Sequence, residues 1–217
     1  QTYLGTRLIR HYGADYRWND EASQQVRKKT GWLGYGATYY SLVRNTRPKR
    51  ILCIGSMYGF IPYVFARACA DNKLGHVDFV DAGYDINGGD KATHNFGQGF
   101  WKKPKAKHQF AYLGNERYIT SHIMTSERFA KEHPNATYDI VYVDGDHSYA
   151  GVKKDYDLFW KRIRPRGYMI FHDVEKKGSY KGIAFEMSVF WQELIRKKRA
   201  FIQLPNRISG IGILQKI

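Results

Sequence analysis

Long apolar runs are missing from this sequence. None reaches the roughly 18 to 20 residues that a helix needs to cross a bilayer. The opening QTYLGTRLIRHYG holds no signal-type apolar stretch either, so the chain reads as soluble and cytoplasmic. It begins at Gln1 rather than Met, as removal of an upstream piece would leave it. Cysteine is scarce: Cys53 and Cys69 both sit inside apolar segments, which argues for reduced core thiols over a disulfide. Repeats, low-complexity tracts and long linkers are absent. His94, His108, His122 and His133 lack metal-ligand spacing and carry no site together. Acids are in short supply, with 20 Asp and Glu against 35 Lys and Arg.

What is present fits one α/β domain. The 217 residues are 43% hydrophobic and 16% aromatic, enough for one substantial core. The net charge of +15 is unevenly placed. Basic residues exceed acidic ones by seven in residues 1–50, by four in 98–118, by seven in 151–200 and by two in 201–217, whereas 51–97 and 119–150 are slightly acidic. A basic periphery suits an anionic partner, either a phosphorylated or acidic small molecule, a charged glycan or a nucleic acid, and equally suits plain solubility.

Along the chain, NDEASQQVRKK offers a capped helix start at Asn19 or Asp20, and GWLGYGATYYSLVR reads as a Gly-rich turn followed by a helix. Residues 1–47 are accordingly expected to form a helical arm or lid and 48–217 the main domain. Strands are predicted at 51–54, 76–83, 118–124, 138–147 and 167–173, with helices after each of the first, third, fourth and fifth. That alternation predicts a mostly parallel, Rossmann-like sheet covered on both faces. The last two strands, AFIQL and IGILQKI, are separated only by PNRISG, too short for a parallel crossover, and so predict an antiparallel hairpin. WKKPKAKHQF (101–110) is expected to be a mobile insertion bordering a substrate site.

An open parallel sheet binds ligands at the carboxyl ends of its strands. The first strand ends in Gly55-Ser-Met-Tyr-Gly59, which departs from the G-x-G-x-x-G dinucleotide pattern but still offers close backbone approach and a helix N-terminus. The second ends at Asp81, 26 positions on, where a carboxylate can accept bonds from a ribose diol. The fourth ends in Asp144-Gly145-Asp146-His147, and the fifth in His172-Asp173.

ILCIGSMYGF, VDFVDAG, HIMTSERF, YDIVYVDGDHSYAGVKKDYDLFWKRIRPRGYMIFHDV and the terminal GIGIL, in that order, resemble class I S-adenosylmethionine-dependent methyltransferases. More narrowly they are similar to small-molecule O-methyltransferase families whose fourth strand runs into D-G-D-H-S-Y. The resemblance spans roughly residues 34–217. It implies a seven-stranded sheet and S-adenosylmethionine as cofactor. Gly55, Ser56, Tyr58 and Gly59 would line its methionine part, Asp81 would hold the ribose, and Thr125 and Ser126 would sit beside the adenine. Asp144, Gly145, Asp146 and His147 would complete the cofactor wall. Where the family places an acid two residues before the first glycine, this chain has Cys53.

Methyl transfer from a sulfonium needs an aligned, deprotonated acceptor more than acid help at sulfur. Asp144, His147 and His172 are therefore the candidate catalytic residues, with His147 as base. Related metal-dependent families imply a divalent ion, Mg²⁺ or a transition metal, at Asp144, His172 and Asp173. Thr125 as a helix cap, and Asp144 and Asp146 bracing the next helix, are the bland alternatives. The expected activity is O-methylation of a hydroxylated or anionic small molecule such as a sugar or natural-product intermediate. The alternative is ribose 2′-O-methylation of RNA on the basic rim, for which no lysine is clearly placed beside the methyl. Homo-oligomerisation is left open.

Overall fold

The computed structural model of the protein describes residues 26–27, 32–85, 99–111, 114–180, 183–197, 200–205 and 209–217. The helix start read at Asn19 or Asp20 lies outside these residues. Seven strands form one sheet: β1 (Arg50–Ile54), β2 (His76–Asp81), β3 (Ile119–Ile123), β4 (Tyr138–Val143), β5 (Ile163–His172), β6 (Phe201–Leu204) and β7 (Ile211–Gln215). Among the described residues five α-helices accompany them: α1 (Gly36–Thr46), α2 (Phe60–Asn72), α3 (Ser126–Glu132), α4 (Tyr149–Phe159) and α5 (Met187–Arg196). The spatial order is β6-β7-β5-β4-β1-β2-β3. Strands β3, β2, β1, β4 and β5 run parallel, and β7 pairs antiparallel with both β5 and β6. The fold read from the sequence is thus the fold observed, including the C-terminal hairpin.

Strand alternation sends successive side chains to opposite faces, and here both faces are dry. Ile51, Cys53, Phe79, Ile140, Tyr142 and Ile170 pack with α1 and α2 on one side. Leu52, Ile54, Val80, Val141, Val143, Met169 and Phe171 pack with α3, α4 and α5 on the other. Both cysteines are buried and free.

Helix α1 does not behave as a separate arm. Tyr39 is fully buried, its ring 5.7 Å from Phe65 and 5.4 Å from Tyr142, and the Tyr35 hydroxyl donates to the Leu204 carbonyl at 2.9 Å. Helix α1 packs on the core through Tyr39 and Val43, with Tyr35 just before it. Strand β4 is shorter than read: it stops at Val143, so Asp144 to His147 form a loop. Strand β5 begins earlier than read, with an interruption. Ile163 faces Tyr138, then pairing resumes only at Tyr168 opposite Ile140, after Pro165 and an Arg166 with φ 66°. At the same end Asp139 accepts from the Lys49 and Arg50 amides at 2.7 and 2.9 Å and from Arg164 at 2.8 Å, a structural tie at the opposite end of the strands from their carboxyl termini.

Candidate active site

Strand order reverses between β1 and β4, so the crevice of this sheet opens where those two strands end. Gly55 and Asp144 flank it. The Gly55 amide donates to the Val80 carbonyl at 2.8 Å and the Asp144 amide to the Ile54 carbonyl at 2.9 Å, stitching the three strand ends together. Gly55 has φ 74°, and a Cβ there would run into the Asp144 carbonyl and lie 2.7 Å from the Gly145 Cα. The glycine is therefore required by the neighbouring loop's backbone, a reason the sequence alone did not show.

Ser56 donates its amide to Asp81 Oδ2 at 3.3 Å, and the Gly83 amide reaches Oδ1 at 2.8 Å. A carboxylate has about four lone-pair sites, so each oxygen retains acceptor capacity for a ligand diol. Burial pushes the Asp81 acid up to about 6, against the two amides that favour its charge.

Tyr58 and Gly59 turn toward a different neighbour. The segment 101–110, expected to be mobile, is packed down on the glycine loop: Trp101 lies 4.6 Å from Phe79 and stacks on Phe110 at 5.6 Å. Trp101 Nε1 donates to the Ser56 carbonyl at 3.3 Å, and Gln109 Nε2 to the Tyr58 carbonyl at 2.8 Å. A Cβ at Gly59, where φ is 87°, would lie 2.9 Å from the Trp101 ring. The lysines of the segment, Lys102, Lys103, Lys105 and Lys107, are exposed. Charge in the string concealed the buried ring pair.

Four side chains meet at the ends of β4 and β5. His147 Nε2 is 3.4 Å from Asp144 Oδ1 and 3.1 Å from Asp173 Oδ2; His172 Nδ1 is 3.4 Å from Asp144 Oδ1 and 3.3 Å from Asp173 Oδ1. Both imidazoles and Asp173 are buried. Burial alone would raise the Asp144 and Asp173 acids, but the neighbouring imidazoles outweigh it and hold both carboxyls low. Burial alone would lower His147, yet Asp144 and Asp173 push it up to about 10. The two carboxylates favour the protonated ring.

Lys176 Nζ sits 3.0 Å from Asp173 Oδ2 and 4.2 Å above the Phe185 ring, and the Phe185 ring meets His147 edge-on at 5.9 Å. In the sequence Lys176 stands out only as one of two lysines, with Lys177, just after the fifth strand. The Tyr142 hydroxyl donates to Asp144 Oδ2 at 3.3 Å.

The remaining candidates have structural work. Thr125 caps α3, its Oγ1 accepting from the Arg128 amide at 3.3 Å. Asp146 Oδ1 accepts from the Ser148 amide at 2.9 Å, and its carboxyl lies against Gly151 in the first turn of α4. Ser126 donates to Asp155 Oδ1 at 2.5 Å. Asp155, 2% exposed, lies close to Gly145 and was missed. A signal for it existed, since Val152, Asp155, Tyr156 and Phe159 share one helical face and an acid on an apolar face is unusual.

Burial pushes the Asp155 acid up to about 7, above the ordinary carboxylate value. An acid that holds its proton more tightly folded than unfolded stabilises the fold at low pH, and that contribution fades as pH rises from about 4 through about 7. Asp155→Asn is expected to flatten this dependence, gaining up to ~4 kcal/mol relative to the parent at pH 8 and little at pH 4. Urea denaturation of both proteins at the two pH values decides it; identical pH profiles would refute the burial argument.

A seven-stranded sheet in this order, with a glycine loop after β1 and acids closing β2, β4 and β5, defines the class I methyltransferase fold. The chain belongs to the methyltransferase domain family, whose model matches residues 52–174. Among solved structures it is similar to an O-methyltransferase from Bacillus cereus in complex with SAH, at 14% identity and a TM-score of 0.64, covering 100% of this chain and 92% of that one. It is also similar to the O-methyltransferase TomG from Streptomyces achromogenes, involved in tomaymycin synthesis and solved with SAM, at 15% identity and a TM-score of 0.58, covering 85% and 81%. An uncharacterized protein, y4gI, of Sinorhizobium fredii is 27% identical over 188 residues, 85% of this chain. The chain spans 19% of that relative's length. Among the described residues no helix is long and apolar enough to cross a membrane.

Proposed function

We propose that the protein is an S-adenosylmethionine-dependent O-methyltransferase acting on a hydroxylated small molecule, with an anionic group met by Lys176 and the basic rim. One observation carries this reading: Gly55, Asp81, Asp144 and His172 converge on a single crevice at the strand-order reversal, tied by the Gly55 to Val80, Ser56 to Asp81 and Asp144 to Ile54 hydrogen bonds. The donor set fits the cofactor, with a partly buried acid at Asp81, already held by the Ser56 and Gly83 amides, for a ribose diol. The SAM and SAH bound to structures of the same fold support it.

S-adenosylmethionine supplies a methyl group on a sulfonium, whose sulfur leaves neutral. The chain's part is to fix the acceptor oxygen in line and remove its proton. Asp144, His147 and His172 lie where that oxygen would be held. A divalent cation also fits the site: Asp144, His147 and Asp173 each offer a ligand atom, all within 4.8 Å of one another, and Asp144 Oδ1 and Asp173 Oδ1 are buried without a hydrogen bond. Held by Asp144, His147 and Asp173, such an ion would lower the pKa of the acceptor hydroxyl.

Calorimetry with S-adenosylmethionine tests the cofactor assignment. Asp81→Asn is expected to weaken binding by roughly tenfold or more, since a charged acceptor facing a diol is worth about 1.4 kcal/mol or more. Wild-type affinity should also fall as pH drops below about 6, where Asp81 takes up its proton. Unchanged affinity in the variant would remove the ribose role from Asp81.

A further inference from the structure

We propose that the cleft between α5, β6 and the turn after β5 is a second ligand site, separate from the crevice, and that it takes a small phosphorylated polyol such as a sugar phosphate. The cleft has a volume of about 660 Å³, within the range that holds a small organic molecule. Residues 173–177 divide between the two places: Asp173 and Lys176 meet beside the imidazoles, whereas Val174, Glu175 and Lys177 line the cleft.

The walls are fixed before any ligand arrives. Trp191 Nε1 donates to Gln203 Oε1 at 2.7 Å, and Gln203 Nε2 donates to Glu175 Oε1 at 2.8 Å, so helix, strand and turn are tied through one amide. The Trp191 ring is wedged in turn against β7, where a Cβ on Gly212 would lie 2.6 Å from it. On α5, Ser188, Gln192 and Arg196 follow at intervals of four and present one row to the cleft. Ser188 is only 9% exposed, and among the described residues its hydroxyl makes no hydrogen bond. It remains available to a ligand.

Charge then selects the ligand. The two acids of the lining are already engaged, Glu175 by Gln203 and Glu193 by the Tyr149 hydroxyl at 2.6 Å. The two bases, Lys177 and Arg196, make no ion pair among the described residues. Two unpaired cations match the charge of about −1.5 to −2 on a phosphate monoester better than the single charge of a carboxylate. The acids keep spare lone pairs, since a carboxylate offers about four, and with Gln192 and Ser188 they suit the hydroxyl groups of a polyol.

The test titrates the full chain calorimetrically with glucose 6-phosphate, glucose, glucuronate and inorganic phosphate. One equivalent of glucose 6-phosphate is expected to bind, at least roughly tenfold more tightly than any of the other three. Replacing both exposed cations, Lys177→Gln with Arg196→Gln, should weaken it by roughly tenfold or more and leave S-adenosylmethionine affinity unchanged, which places the loss in the cleft. No saturation by about 10 mM, or glucose or glucuronate binding as tightly as the phosphate ester, would overturn the proposal. So would full binding in the double variant, a parallel loss of cofactor binding there, or loss of the sugar phosphate in Lys176→Gln alone, which would put the anion in the crevice. The outcome is independent of the methyltransferase reading, because neither cation belongs to that site.

Discussion

Asp144→Asn is expected to reduce turnover by about a hundredfold to ten-thousandfold while leaving S-adenosylmethionine affinity within a few fold. The substitution preserves shape and removes charge at the point where the site is most interdependent. Asp144 Oδ1 is the atom within 3.4 Å of both His147 and His172, and Oδ2 accepts from Tyr142. Neutralising it leaves two buried imidazoles facing one carboxylate, Asp173, and removes a ligand from any cation held there. The proposed cofactor anchors, Ser56 and Asp81, are hydrogen-bonded to each other at the end of β2. Conversion of S-adenosylmethionine to S-adenosylhomocysteine, followed with any hydroxylated acceptor the wild type uses, gives turnover; calorimetry gives affinity. A variant with near wild-type turnover would place the chemistry elsewhere.

Gly55→Ala should be the most destabilising single methyl added to the protein, by roughly 3 kcal/mol or more. Two costs coincide there, a left-handed backbone and a Cβ directed into the backbone of the β4 loop. Gly178 and Gly114 separate them. They have φ 93° and 74°, yet a Cβ at either meets nothing within 4 Å. Gly178→Ala or Gly114→Ala should therefore cost only the backbone term, about 1 to 2 kcal/mol. Urea denaturation of the three variants measures the difference. Equal losses at all three positions would show that the close approach of the two loops has no energetic weight.

Most of the framework was legible because it depends on patterns of period two and 3.6. The strand ends at Gly55, Asp81, Asp144 and His172 follow from apolar runs that stop abruptly, and the C-terminal hairpin follows from a connection too short to cross over. Segment 99–111 was not legible. Its buried residues, Gly99, Phe100, Trp101, Ala106, Gln109 and Phe110, have no regular spacing, and the lysines between them suggest solvent. Side-chain roles were harder still. Thr125 and Asp146 have the same chemistry whether they cap a helix or touch a ligand, and only position shows that they brace α3 and α4. Lys176 required a tertiary fact, that the turn after β5 folds back on Asp173.

The break in the β4 to β5 ladder bears on how this scaffold tolerates change. Pairing is anchored at Ile163, lapses across Arg164 to Gly167 and restarts at Tyr168. Residues gained or lost in that gap need not shift Tyr168 to Phe171, which are locked to β4 on one side and β7 on the other. The interruption works as an expansion joint: a change in length at Arg164 and Pro165, ahead of the Arg166 and Gly167 bonds to Lys216, leaves the tip of the strand, with His172 and Asp173, in its place.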